Sequence, residues 1–467
     1  MKSITVEMYG IIAYFLICAV IAYMTRRTRS FSEFSIGNHK VPAAMIFASV
    51  AATYIGPGFS VGFATKGYSS GYAFWILSLT YAIQTVLVGM LFAPRLARFR
   101  NCHTIGDIME QRYGKFTHFL AGVVSVGLCI GFTAIIGKIA GQLLHSITGW
   151  PLLVSVSVVT MFVAVYTFTG GVRAVIAADG VQFLWFSLMI PILLLLAFFK
   201  SPASASEVAD KAMELTKSGF SGLTTIQIVG IMVSFLLGET LTPPYANRAL
   251  AAQSETASRQ GFVWAGLYCP IWLGICATIG IFGYQFLAPG TAADDVFLGM
   301  GKTLLPGVLY GALLAAVLAI VMSSQESLMN SASVALVRDV INLNGKLSDK
   351  KQLFFGRAGT MVIAVIAIVV SMYAPSIIDG LLICYSVWAP GLLVPLIFGL
   401  YLKRTRPMAG WLSMILGASA SIVWQTVLKE PAGIPAILVG LTASLAAYAV
   451  GHLLDKKELP LITGENQ

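Results

Sequence analysis

The chain has 467 residues, 57% of them hydrophobic and 11% charged, with a mean hydropathy of +0.83. Soluble domains carry about 25% charged residues, so a soluble fold is excluded, and recurring apolar runs of about 20 residues are helical spans rather than the alternating strands of a membrane barrel. The net charge of +10 is no nucleic-acid footprint: most Lys and Arg fall in 25–41, 95–118, 337–357 and 402–408, which the order of spans places on one side of a bilayer.

The first span, Met8–Met24, precedes Arg26, Arg27 and Arg29 and has no small-residue cleavage site. It reads as a retained helix with its N-terminus outside. Spans follow at 42–65, 71–94, 116–145, 152–169, 172–199, 223–250, 263–287, 306–336, 356–373, 376–401, 409–428 and 434–454, about 13 in all. An odd count puts the tail, 455–467, in the cytoplasm. The expectation is an all-α polytopic protein of the plasma (inner) membrane, with the lipid bilayer as its solvent.

The second span is interrupted by Gly56, Pro57 and Gly58. Pro57 has no N–H to give the carbonyl of Thr53, and it pushes Gly56 away from helical geometry. Broken backbone at membrane depth is tolerated only inside protein or beside a water-filled cavity. Further on, Thr104, Asp107 and Gly114 bound a capped helix expected to lie on the inner membrane surface. Residues 206–218 read as a small amphipathic lid helix on the outside.

A second interruption, Gly238 to Pro244, splits the apolar run 223–250. Its two prolines leave the carbonyls of Glu239 and Thr240 without helix donors. Broken spans at corresponding places in two halves of a chain point to the binding site of a secondary transporter. Counting from each break gives two five-helix units, 42–199 and 223–401, that enter the membrane from opposite sides. This is the 5+5 inverted repeat of the leucine-transporter fold. Residues 1–41 and 409–467 are then peripheral, and the whole chain is one membrane domain.

Six cysteines and five histidines are scattered without ligand spacing, and no phosphate loop or soluble catalytic domain is visible, so no enzyme is expected. Lys138, Asp179, Glu239 and Glu326 are the ionisable residues inside spans. Such charges are costly at membrane depth and functional by default, although a structural ion pair is the competing explanation for Asp179. In the ninth span Ser323, Glu326 and Ser327 share one helical face, with Ser324 one step around. Two hydroxyls and a carboxylate suit a hard cation; a small-residue interface held by Ser hydrogen bonds is the alternative.

These residues carry a resemblance. Ser32 to Gly37, Tyr166 to Val175 with Asp179 to Gln182, Asn247 to Ser254, and Met322 to Ser327 together resemble the sodium:solute symporter family over nearly the whole chain. The resemblance implies sodium as coupling ion, bound by the carbonyls of Ala52, Ile55 and Ile320 and the hydroxyls of Ser323 and Ser324. It places Asp179 on the ion's inward exit path or in a second site with Ser327 and Glu326. Tyr54 stands where the proline branch is acidic, and span three lacks the acidic residue of the sugar branch. Residues 52–55 look most similar to the pantothenate-like branch.

Solute recognition is expected at the breaks, from Thr53, Tyr54, Gly56, Glu239 and Thr242, with Lys138. The half-helix after Gly56 turns its positive end to the cavity and favours a carboxylate, as does Lys138. Glu239 favours an ammonium. A zwitterion satisfies both, and so does a Lys138–Glu239 pair with no solute role. The expected function is sodium-coupled import of a small organic solute, carboxylate-bearing or zwitterionic, by alternating access, with no obligatory protein partner and no nucleic acid. Proton coupling on the same fold, or a channel or sensor, are the alternatives.

Overall fold

Prolines and glycines set the helix ends, and the computed structural model describes residues 6–26, 28–373 and 377–460. Arg27, Ser376 at the start of an expected span, and the tail beyond 460 lie outside the described residues. α1 (Val6–Thr25) is followed by a capped turn, α2 (Phe31–Ile36), and then by α3 (Ala43–Tyr54) and α4 (Pro57–Ser70). Pro57 heads α4, and α3 and α4 meet at a bend of 52°. α5 (Ala73–Leu87) runs through a wider π turn into α6 (Ala93–Leu96) as one span. α7 (Ile105–Tyr113), α8 (Lys115–Thr148), α9 (Leu152–Gly170) and α10 (Val172–Lys200) complete the first half. The joint between α9 and α10 requires Gly171: its φ is +56°, and a Cβ there would stand 2.4 Å from the carbonyl oxygen of Phe34.

α11 (Ala205–Ser221) is the expected amphipathic helix, opened by a capping box of Ser204 and Glu207. It turns 104° into α12 (Thr225–Leu237), and α12 and α13 (Pro243–Ala251) are the two helices on either side of the interruption expected in 223–250. α14 (Glu255–Phe286), α15 (Val296–Leu304), α16 (Gly307–Ala335), α17 (Asp349–Tyr373), α18 (Ile377–Trp388), α19 (Val394–Tyr401), α20 (Pro407–Ile422) and α21 (Ala436–Leu454) follow. Among the described residues 11 helices are long and apolar enough to cross a membrane, or up to 13 if each bent pair is one span. The molecule is a multi-pass integral membrane protein.

α16 is the axis of the bundle. From Leu313 to Ala335 every residue is buried, its serines and Glu326 included. Close approach around it depends on small residues. α4 and α14 meet backbone to backbone, since a Cβ on Gly67 would stand 2.0 Å from Ala277 O and one on Gly280 1.9 Å from Ala64 O. All six cysteines are free and buried, in keeping with packing rather than bridging.

At the Arg- and Lys-rich end the two broken spans are stitched together. Val41 N–H donates to Ala251 O (3.1 Å) and Gln253 N–H to Val41 O (2.9 Å), just before α3 and just after α13. His39 Nδ1 stands 2.6 Å from Leu250 O, and Arg100 donates to Ala252 O and Gln253 O.

α7, expected on the inner membrane surface, is packed into the protein on most of its sides. The cap is as the sequence implies, with the Asp107 N–H donating to Thr104 Oγ1 at 3.0 Å and Gly114 ending the helix. Yet Ile105, Asp107, Ile108, Met109, Arg112 and Tyr113 are all buried. The reason is a set of partners far along the chain. Arg112 donates to Gly399 O (2.7 Å) and Leu402 O (2.6 Å), and Tyr113 to Pro395 O (2.7 Å). Arg338, in the π turn after α16, donates to Asp107, and His118 stands between Glu110 (2.7 Å) and Asp339 (2.9 Å). The ligand atoms of Asp107, Glu110 and His118 lie within 4.8 Å of one another, a grouping not apparent from the scattered histidines. Arg338 and Asp339 engage Asp107 and His118, which makes the cluster an ion network tying α7 to the end of α16. Thr104 Oγ1 serves it twice, capping α7 and donating to Asp339 Oδ1 at 2.6 Å. Thr104→Ala is therefore expected to destabilise by about 2 kcal/mol, a cap plus a bond to a charged acceptor, read as a lower melting temperature of the purified protein.

Candidate functional site: two helix breaks facing a buried serine pair

The end of α3 unwinds against the middle of α16. Ser323 Oγ lies 3.1 Å from Ala52 O and 2.9 Å from Ile320 O; Ser324 Oγ lies 3.4 Å from both Thr53 O and Ile320 O. The hydroxyls thus reach Ala52 O and Thr53 O, carbonyls that the 52° bend strips of helical partners, beside Ile320 O of the continuous α16. Ile55 O is taken up by Ser60 Oγ at 2.8 Å and keeps one lone pair. Ala52, Ile55, Ile320, Ser323 and Ser324 are all buried, and every ligand atom they offer is oxygen. Hydroxyls that rotate their protons away would leave a neutral oxygen cluster fit for a hard monovalent cation and poor for a transition metal.

Gly56 needs no special backbone, with φ −48° and ψ 177°. What constrains the position is a close approach: a Cβ there would stand 3.1 Å from Ser324 Oγ. Space for the serine, not dihedral freedom, is what glycine supplies.

The second break is strained where the first is not. Leu241, fully buried, has φ +55°, a left-handed conformation costly for a side chain of its size. The carbonyls expected to be free find donors here. Thr242 N–H reaches Glu239 O at 3.2 Å, and the Trp388 indole reaches Thr240 O at 2.9 Å. What the break offers is the Glu239 side chain. Tyr81 and Tyr245 donate to its Oε2 at 2.5 and 2.9 Å, and Tyr385 donates to Oε1.

Between the breaks is a small cavity of about 50 Å³, lined among others by Thr53, Tyr54, Gly56, Glu239, Thr242 and Ser324. Five of the six residues expected to meet a solute line it. Lys138 does not, although Ile136 and Ile139 on either side of it in α8 do, and three tyrosines hold the carboxylate of Glu239.

Asp179 stands apart from the serine pair. Its carboxylate accepts from Ser49 and from Arg248 Nη2 (3.2 Å), with both members of the ion pair fully buried. Arg248 also donates to Ser49 Oγ (3.0 Å) and Ser327 Oγ (2.5 Å). Ser327 Oγ is 3.3 Å from Thr53 Oγ1, so the pair connects to the first break through a chain of hydroxyls. Arg248 is a residue that sequence reasoning missed, since it carried no role of its own within the stretch Asn247 to Ser254. Its lodging inside a helix that begins Pro243-Pro244 could have marked it. Tyr81, Tyr245 and Tyr385 carried no signal beyond an aromatic residue in an apolar span.

A family model described as the sodium:solute symporter family matches residues 34–417. The chain is 24% identical to the sodium/pantothenate symporter of Haemophilus influenzae, an alignment covering 94% of both chains. It is 27% identical to sodium/proline symporter 2 of Staphylococcus saprophyticus, covering 96% of this chain and 92% of that one. Among solved structures it superposes on a Na+-coupled sialic acid symporter in a substrate-bound outward-open state. The TM-score is 0.85 at 19% identity, over 98% of this chain and 99% of that one. The fold is all-α and of the leucine-transporter type.

Proposed function

From the membership of this chain in the sodium:solute symporter family, we propose that Ala52, Ile55, Ile320, Ser323 and Ser324 bind the coupling sodium and that the adjoining cavity takes the solute. The protein is a sodium-coupled symporter of small solutes, not an enzyme. The observation that carries the site assignment is the meeting of Ser323 Oγ with Ala52 O at 3.1 Å. One ion there would touch α3 and α16 at once. Bound sodium then favours the arrangement in which both breaks face the solute, and differential affinity for that arrangement is what couples the two.

The five-helix units 42–199 and 223–401 rock against each other about this site, with the basic end on the cytoplasmic side of the plasma membrane and the first helix beginning outside. Gly56, Pro57 and Gly58 bring the positive end of α4 to the cavity wall, which suits a carboxylate on the solute. Asp179, fastened by Arg248, keeps Ser49 and Ser327 in place below the ion, and it meets the ion on the way out once that pair parts.

The test is a thermal-shift screen of small carboxylates, amino acids and betaines on the purified protein in sodium or potassium chloride. A solute that stabilises in sodium and not in potassium is expected; equal stabilisation in both overturns the reading. Pro57→Ala tests the break itself. A donor restored at residue 57 can engage Thr53 O and straighten the bend, so the variant is expected to fold and to lose sodium-driven uptake. Met45→Ala, at the exposed far end of α3, is expected to leave uptake unchanged.

A further inference from the structure

The only charged side chain among the described residues lining the cavity is acidic, and its bonding leaves it little to offer a donor. A carboxylate has about four lone-pair sites. On Glu239 three are filled, by Tyr81, Tyr245 and Tyr385. Each phenol has spent its one proton there, so what these tyrosines still present is ring face and oxygen lone pair. Tyr54, Phe59, Phe132, Tyr245 and Tyr385 line the space beside Glu239, and no Lys, Arg or His joins them. The rings are themselves braced: Tyr54 stacks on Tyr245 at 4.0 Å and Phe59 on Tyr81 at 4.6 Å. Fixed π faces around a fixed negative charge attract a cation.

The kind of cation follows from the donor count. A primary ammonium brings three N–H groups, each costly to bury without an acceptor. Here one lone pair of Glu239 remains, and the other acceptors on the wall are neutral phenol and hydroxyl oxygens, of Tyr54, Tyr245, Tyr385, Thr53, Thr242 and Ser324. An N-methylated ammonium brings few N–H groups or none, is weakly hydrated to begin with, and presents methyl groups that lie well on aromatic faces. Resting on the assignment of this cavity to the solute, we propose that the solute carries an N-methylated ammonium group that binds in the Glu239–tyrosine cage, with its carboxylate toward the start of α4.

The experiment uses the purified full chain in sodium chloride and four ligands: glycine and its N-methyl, N,N-dimethyl and N,N,N-trimethyl derivatives. They share the carboxylate and differ only at nitrogen. Apparent affinity by thermal shift is expected to rise about ten-fold or more from the first to the last. In Tyr385→Phe, which keeps the ring and frees a lone pair on Glu239, glycine is expected to gain on the trimethyl compound. In Glu239→Gln the advantage of methylation is expected to disappear. A series that is flat, that falls with methylation, or that fails to bind while a neutral or purely anionic solute binds with sodium overturns the cage and leaves the symporter reading standing. The expected ranking seen equally in sodium and potassium would sink the ion coupling and leave the cage.

Discussion

Ser323→Ala is expected to raise the sodium concentration for half-maximal uptake by about ten-fold or more, the effect of losing one ion-facing oxygen worth about 1.5–3 kcal/mol. The hydroxyl is fully buried between Ala52 O and Ile320 O, and alanine removes it with almost no cavity. The melting temperature without sodium should therefore stay close to that of the parent protein. Ser324→Ala, whose contacts are longer at 3.4 Å, is expected to act in the same direction and less strongly. Initial uptake rates into proteoliposomes against sodium concentration decide the matter. If both variants keep the parental half-saturation, the ion binds elsewhere.

The largest loss of stability is expected from Arg248→Leu. It leaves the Asp179 carboxylate buried between Ser49 and the equally buried Glu326, and breaking one side of a buried ion pair costs about 3–5 kcal/mol. Asp179→Asn is gentler, because its amide oxygen still accepts from Ser49 and Arg248. That variant is expected to reach the membrane and to transport more slowly. The double variant should be more stable than Arg248→Leu alone, since the two residues are in contact and their effects do not add. Melting temperature and membrane yield, measured beside uptake, separate these outcomes. An Arg248→Leu protein as stable as the parent would show that the pair contributes nothing to holding α10 against α13.

The features that rest on local chemistry could be read without coordinates. Pro57 cannot donate, so a break at 56–58 followed, and the spacing of Ser323 and Ser324 put two hydroxyls on a span long enough to reach it. Thr104, Asp107 and Gly114 likewise announced α7. Features that rest on a distant partner could not be read. Asp107 and Arg112 look solvated until Arg338, Gly399 and Leu402 are brought to them. Arg248 looks like one more residue of the stretch Asn247 to Ser254 until Asp179 arrives from 69 residues away. Lys138 shows the same limit from the other side: a lysine inside a span invites a functional role, yet the cavity lining takes Ile136 and Ile139 from either side of it and not Lys138 itself. Periodicity gives a helix its face, and only the neighbours decide what that face sees.

The short stitch between Val41, Ala251 and Gln253 makes the molecule its own clock. Any motion that parts α3 from α13 at the basic end must first break Val41 N–H···O=C Ala251 and Gln253 N–H···O=C Val41. Neither bond belongs to a helix, so helix fraying does not expose them. Deuterium uptake at these two amides therefore counts openings of that end alone. At high pH, where an open amide exchanges faster than it recloses, their exchange rate compared with turnover under the same conditions would say how many openings occur for each solute delivered.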